Sequence, residues 1–389
     1  MKIISLLYEK LSYLAHVILF YLFRIFPVKN NKVVFTNFLG KGYGCNPKYI
    51  CEELLKSKKQ YDIVWVVNDM NTPLPSGIRK VENGSLKWIY ELCTAKVWVN
   101  NTRFLGFVRK RNNQYYIQTW HGDNGIKKVE NDAGAALDPT YKRSAINDSK
   151  MADLFVSGTK WFGALVKESF WYDGEVDYSG YPRRDIFYKD PSELGNLKTD
   201  MGINEDSKIL FYAPTFRKNQ EELGLSIFML DWENLLDAAQ KRFGGIWVGA
   251  IRLHPNISHL ANQLNLPENV YNLSDYPDIQ EILAVSDICI SDYSSTSIDF
   301  AVIKKPAFIY APDFEDYKND RDLYYSFEEL PFKIAQNQKD LADNILNFNE
   351  EEYKVEHKKF FVDKIQLEED GTASNCIANR IAEICGFDN

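Results

Sequence analysis

From Val33 onward the chain alternates short apolar, strand-like runs with helical stretches, and it does so twice. No other feature narrows its fold as much. In the first half the runs are Val33–Phe38, Asp62–Val67, Ala95–Asn100, Gln114–Trp120 and Leu154–Ser157, with a helical stretch near Pro47–Ser57. In the second half Lys208–Ala213, Ile246–Leu253, Val270–Asn272, Ile288–Asp292 and Ala307–Tyr310 read as strands, and Leu230–Phe243 and Ile279–Val285 as helices. Apolar strands of this length separated by helices predict parallel sheets covered on both faces. With 389 residues there is room for two such sheets, each with its own core. The polar stretch Lys189–Ser207 reads as the linker. The expected architecture is α/β: two Rossmann-like domains, residues 29–190 and 191–389, facing a central cleft, preceded by a segment 1–28 of different character.

That segment, MKIISLLYEKLSYLAHVILFYLFRIFPV, has 13 residues without formal charge from Leu11 to Phe23. A spanning helix needs about 20. No small-residue cleavage site follows, which argues against a signal peptide. Three readings stand: a helix lying in a membrane interface, a helix packed on the protein's own surface, and a tilted spanning anchor. Tyr13, Tyr21, Lys10 and Arg24 suit the interface, and the expectation is a membrane-associating helix ended by Pro27.

Composition excludes several classes. Lys+Arg 46 against Asp+Glu 54 gives a net charge of −8, without the basic footprint of a general nucleic-acid binder, so no nucleic-acid partner is expected. None of the six cysteines forms a C-x-x-C pair, which argues against zinc ribbons and thioredoxin-like sites. They read as reduced thiols of a cytosolic protein.

In open α/β sheets ligands bind beyond the carboxyl ends of the strands, so the residues there are the candidates. The glycine-rich turn Gly40–Gly44 follows the first strand; Gly42 would admit close approach of a ligand, or mark a plain turn. His121 follows the run ending at Trp120, where an imidazole can accept a proton from a hydroxyl or serve as an inert structural histidine. Arg217, after Tyr212–Phe216, has the planar fork that suits phosphate oxygens, or a surface ion pair. Arg252 and His254 stand two apart, on the same side of an extended chain, and together suggest an anion. Ser294, Ser295 and Thr296 precede a helix expected through Ile298–Ile303; they are ordinary caps or phosphate donors at a helix start. Asn101, Asp123 and Asp292 are further cleft candidates. Asp313–Lys318 and Asp320-Arg321-Asp322 are acidic, but a short D-x-D arises readily by chance, and no metal or other cofactor is expected. One histidine at the first domain's strand ends and an Arg, Arg, His and hydroxyl set at the second's fit a nucleotide diphosphate held by one domain and an acceptor hydroxyl activated from the other.

These motifs, in this order, resemble the CDP-glycerol glycerophosphotransferase family of wall teichoic acid primases and polymerases. The resemblance rests on Gln118–Gly122, Tyr212–Arg217, Arg252–Pro255 and Ser291–Ser295, supported by Asn46–Tyr49, Gly180–Asp185 and Lys305-Pro306. It runs from about Phe35 to about Pro331. It implies a GT-B fold and transfer of glycerol phosphate from CDP-glycerol to an acceptor hydroxyl, releasing CMP. It also implies His121 as the base, Arg217 and His254 at the phosphates, and Ser294 and Ser295 in the serine motif. The implied acceptor is a lipid-linked glycan or teichoic acid at the cytoplasmic face of the membrane, with the enzyme bound peripherally. After W-H-G many members carry T-P-L-K-K, whereas this chain has Asp123–Lys128, which bears on acceptor identity. The length points to a primase, or a capsule or side-chain transferase, rather than a long-chain polymerase. The competing readings are a CDP-ribitol-dependent transferase, a GT-B glycosyltransferase using a nucleotide sugar, and a non-catalytic membrane-surface binding protein.

Overall fold

The computed structural model describes residues 2–123, 125–215, 225, 228–254, 256–314 and 323–387. The chain divides into two units. The first comprises Met1–Asp123, Val129–Asp185 and Glu368–Asn389; the second comprises Asn124–Lys128 and Ile186–Leu367.

The first unit contains a seven-stranded sheet: β1 (Lys29–Thr36), β2 (Asp62–Val67), β3 (Ile78–Glu82), β4 (Ala95–Asn100), β5 (Tyr115–Gln118), β6 (Leu154–Val156) and β7 (Glu175–Asp177). The order is β3-β2-β1-β4-β5-β6-β7, and every pairing is parallel. Central strands are buried on both faces. Phe35, Trp65, Val99 and Ile117 pack on one side with Ile50 and Leu54 of the helix Cys45–Lys56. Val34, Val64 and Trp98 pack on the other with Trp88 and Leu92 of the helix Leu86–Thr94. The order reverses between β1 and β4, the kind of switch point beyond whose strand ends α/β sheets place ligands.

The second unit contains β8 (Ser207–Ala213), β9 (Ile246–Ile251), β10 (Val270–Asn272), β11 (Ile288–Ser291), β12 (Ala307–Tyr310) and β13 (Lys333–Ala335), in the order β10-β9-β8-β11-β12-β13. These pairings are also all parallel. The reversal falls between β8 and β11.

The C-terminal end departs from the expected 191–389 domain. The helix Ala373–Cys385 belongs to the first unit, where Ile377, Ile381 and Cys385 enter the core beside Ile50 and Leu54. Asp185 caps it from elsewhere in the chain, its carboxylate accepting from the Ala373 and Ser374 amides at 3.2 and 2.6 Å. Burial of these side chains removes their apolar area from water and holds the helix on the first unit.

Segment 1–28 forms the helix Lys2–Leu22 and packs one face on the first unit. Phe20 is buried against Trp88 and Phe107, His16 lies on Phe107, and the Tyr13 hydroxyl donates to the Gly106 carbonyl. Arg111 holds the chain beyond the helix through the carbonyls of Arg24 and Phe26. On the other side Leu11, Leu14, Ile18, Tyr21, Leu22 and Ile25 are exposed, at the three- and four-residue spacing of one helical stripe. Among the described residues no helix is long and apolar enough to cross a membrane.

Candidate active site

In the first unit the candidate site is built on the loops that follow β1 and β4. Asn37 follows β1 and Asn101 follows β4; the Asn101 side-chain amide donates to Asn37 Oδ1 at 2.8 Å, and Asn101 Oδ1 accepts from the Phe38 amide at 2.8 Å. Asn101 is wholly buried, so its side chain ties two loops together. Its backbone carbonyl is what reaches the neighbouring loop, accepting from His121 Nδ1 at 2.8 Å.

That contact fixes the imidazole. A carbonyl only accepts, so Nδ1 carries the proton and Nε2 carries the lone pair. Burial pushes the His121 imidazolium down to about 4, against the Asn101 carbonyl, with Arg183 and Arg103 adding to the depression. Near pH 7 the ring is therefore neutral and is a proton acceptor at Nε2. Trp120 supports it in a left-handed backbone conformation (φ 52°), its ring 4.5 Å from the imidazole and 5.3 Å from the Arg103 guanidinium. Arg103 is buried and paired with Glu130 and Asp148 at 3.3 and 3.1 Å.

Two residues without an assigned role in the sequence hold this loop. Arg183 Nη1 donates to the His121 carbonyl at 2.8 Å. The Asn46 amide donates to the Thr119 and Trp120 carbonyls at 3.2 and 3.1 Å, while its oxygen accepts from the Arg183 amide. Both lie in stretches that carried the family resemblance, Asn46–Tyr49 and Gly180–Asp185, so the clue was present without the role.

Asp123 is corrected. It is not an open cleft acid but a wholly buried one: Arg184 donates to its Oδ1 at 2.9 Å and also binds Glu369 through Nε at 3.0 Å. Gly158 lies against this triad, where a Cβ would fall 2.2 Å from Arg184 Nη2. Gly42 is exposed with φ +68°, and its carbonyl accepts from Trp65 Nε1 at 3.1 Å; the tighter glycine is Gly40, where a Cβ would meet Asn68 Oδ1 at 2.7 Å.

In the second unit the reversal between β8 and β11 brings together the loops after β8, β9 and β11. Asp292 is again buried and internal: its carboxylate accepts from the Thr215 amide and hydroxyl and from the Tyr293 amide. It therefore closes the loop rather than presenting an acid to a ligand. Arg252 and His254 leave β9 on either side of the buried Leu253, as the alternation predicts. Arg252 donates from Nη2 to the Tyr276 carbonyl at 3.2 Å, and its buried Nε has no partner among the described residues. Burial draws its guanidinium below the usual arginine range, with Asp278 pulling the other way. A buried cationic fork with an unsatisfied donor is stabilised by an arriving anion. The His254 Nδ1 accepts from the Asn256 amide at 3.2 Å. Ser294, Ser295 and Thr296 are half-buried at the start of the helix Thr296–Ala301. The Ser294 and Thr296 hydroxyls are 2.8 Å apart, and Ser294 Oγ also accepts from the Thr296 amide. Arg217, Asp320 and Asp322 lie outside the described residues. Among the described residues no three His, Cys, Asp or Glu side chains cluster as a metal site would.

Two doubly wound units, with a neutral histidine at one switch point and an arginine and hydroxyl loop set at the other, are an arrangement suited to group transfer. Residues 18–383 match the profile of the family described as CDP-Glycerol:Poly(glycerophosphate) glycerophosphotransferase, and the chain belongs to that family. It is 33% identical over 337 residues to the teichoic acid poly(glycerol phosphate) polymerase of Bacillus spizizenii, which covers 83% of this chain and 84% of the relative. To the teichoic acid glycerol-phosphate transferase of Staphylococcus aureus it is 29% identical over 366 residues, 90% of this chain and 92% of the relative. It also matches the Bacillus subtilis poly(glycerol phosphate) polymerase at 31% over 369 residues, but spans only 49% of that longer protein. Solved structures of the wall teichoic acid polymerase TagF share the fold, with a TM-score of 0.82 at 27–28% identity and 98% coverage of both chains; one is a histidine-to-asparagine variant soaked with CDPG. The GT-B class expected from the resemblance is thereby shown.

Proposed function

We propose that this chain transfers glycerol phosphate from CDP-glycerol to a hydroxyl of a lipid-linked glycan or teichoic acid acceptor, releasing CMP. The observation that carries the reading is the tautomer of His121: Nδ1–H is committed to the Asn101 carbonyl, so a neutral Nε2 is available as base. The acceptor oxygen attacks the phosphorus that bears glycerol. The bond from that phosphorus to the bridging oxygen breaks, CMP leaves with the electron pair, and the hydroxyl proton passes to Nε2. Arg252, His254 and Arg217, with the Ser294–Thr296 loop, are proposed to hold the diphosphate and stabilise the charge on the leaving group. With this cationic set no divalent ion is required. The exposed stripe Leu11–Ile25 is proposed to rest in the cytoplasmic face of the membrane, as an interfacial helix whose opposite face is already packed. The test is CMP release from CDP-glycerol, CDP-ribitol and a panel of UDP-sugars in the presence of a short-tailed lipid disaccharide. CMP from CDP-glycerol with acceptor modification supports the reading; UDP release, or turnover with CDP-ribitol alone, overturns it.

A further inference from the structure

Beside His121, Phe38 and Leu39 break two rules at once. Both adopt the left-handed backbone conformation, φ 41° and 57°, directly before Gly40 at φ 90°. For bulky side chains this region is strained. Both are also exposed, 37% and 45%, so neither is a core side chain.

The strain is held by surrounding amides. Asn101 Oδ1 accepts from the Phe38 amide at 2.8 Å, Asn83 donates to the Leu39 carbonyl at 2.9 Å, and the Asn68 amide donates to the Gly40 carbonyl at 2.8 Å. Glycine would occupy φ 41° and 57° without strain. Backbone preference accounts for neither phenylalanine nor leucine here. Position accounts for Phe38, whose ring meets the His121 ring edge-on, 5.4 Å between centroids, and Leu39 is its exposed neighbour in the same turn. A strained, over-determined conformation beside a reactive group is where function is stored.

We propose that Phe38 and Leu39 form an acceptor platform, an apolar surface that takes the C–H face of a ring sugar at the reactive end of the acceptor and sets its hydroxyl against His121 Nε2. The platform rests on the transferase reading above and narrows its acceptor class. A linear polyol phosphate offers no such face, whereas a pyranose offers one that an aromatic ring and an isobutyl group cover well.

The experiment uses the full chain, CDP-glycerol and two acceptors with the same short lipid tail, one ending in a disaccharide and one in oligo(glycerol phosphate). Leu39→Gly and Phe38→Leu are compared with wild type. Leu39→Gly relieves the left-handed cost while adding chain entropy of similar size, so its melting temperature should hold or rise. The KM for the disaccharide acceptor should rise about 10-fold in each variant, while the KM for CDP-glycerol stays within about twofold. An unchanged disaccharide KM in both variants overturns the platform. So does an equal rise for both acceptors, or a marked fall in the melting temperature of Leu39→Gly, which would make the pair a packing element. If wild type releases no CMP from CDP-glycerol with either acceptor, the transferase reading itself fails, and that failure appears before any substitution is made.

Discussion

Replacing Arg184 by leucine should unfold the first unit at a much lower temperature. Its guanidinium faces Asp123 and Glu369, and the three side chains are 0%, 0% and 3% exposed. Removing the cation leaves two carboxylates buried without it. Breaking a buried pair from one side costs about 3–5 kcal/mol. For a unit of this size 1 kcal/mol moves the midpoint by about 2–4 °C, so the expected fall is about 6–20 °C. Thermal unfolding followed by circular dichroism reads it directly. Asp123 stands two residues beyond His121, so turnover should fall at temperatures where the variant is still largely folded. The triple change Asp123→Leu, Arg184→Leu and Glu369→Leu should recover much of the lost stability, because no charge is then left buried. A midpoint shift below about 2 °C in Arg184→Leu would refute the reasoning, since two buried carboxylates that have lost their arginine are not held so cheaply.

Four further outcomes are expected. The folded His121 titrates at about 4, below the unfolded value of about 6.5, so the unfolded chain takes its proton first; stability from this group is full above pH 6.5 and declines as pH falls towards 4. In the pH profile of kcat/KM the acid limb should lie near 4, and in that of kcat higher, because bound phosphate stabilises the imidazolium; a kcat/KM limb at or above 6.5 would contradict the assignment. Leu14→Glu with Ile18→Glu should weaken sedimentation with anionic vesicles at least 10-fold without changing the melting temperature, because both side chains face solvent; unchanged sedimentation would move the membrane contact elsewhere. Arg217→Lys keeps the charge but loses the fork, so turnover should fall about 10-fold or more while excess chelator leaves the wild type active; magnesium-dependent rescue from chelation would direct attention to Asp320 and Asp322.

What the sequence made legible follows burial. β2, β4, β10 and β12 have the bounds read from their apolar runs, and β1, β5, β8, β9 and β11 differ only at their ends. The missed strands β3, β7 and β13 are all edges, and their sequences IRKVE, EVD and KIA are partly exposed, so no apolar run marks them. The C-terminal helix fell within the expected 191–389 domain, because an apolar helix face says that it packs, not on which sheet. Among the candidate residues, His121, Arg252 and His254 could be singled out because strand ends are where α/β sheets place ligands. Asp123 and Asp292 were misread as cleft acids because a carboxylate at a strand end looks the same whether it faces a ligand or, as here, an arginine or a loop amide. Arg183, Asn46 and the strained Phe38–Leu39 pair act through backbone carbonyls and positive φ angles, which side-chain chemistry does not advertise.

The most direct test of the central claim is CMP release by His121→Ala under single-turnover conditions, with CDP-glycerol and a short-tailed lipid acceptor. The account predicts a fall of roughly 10²–10⁴-fold, with CDP-glycerol affinity and melting temperature close to wild type. Near-normal release from a correctly folded variant would contradict it.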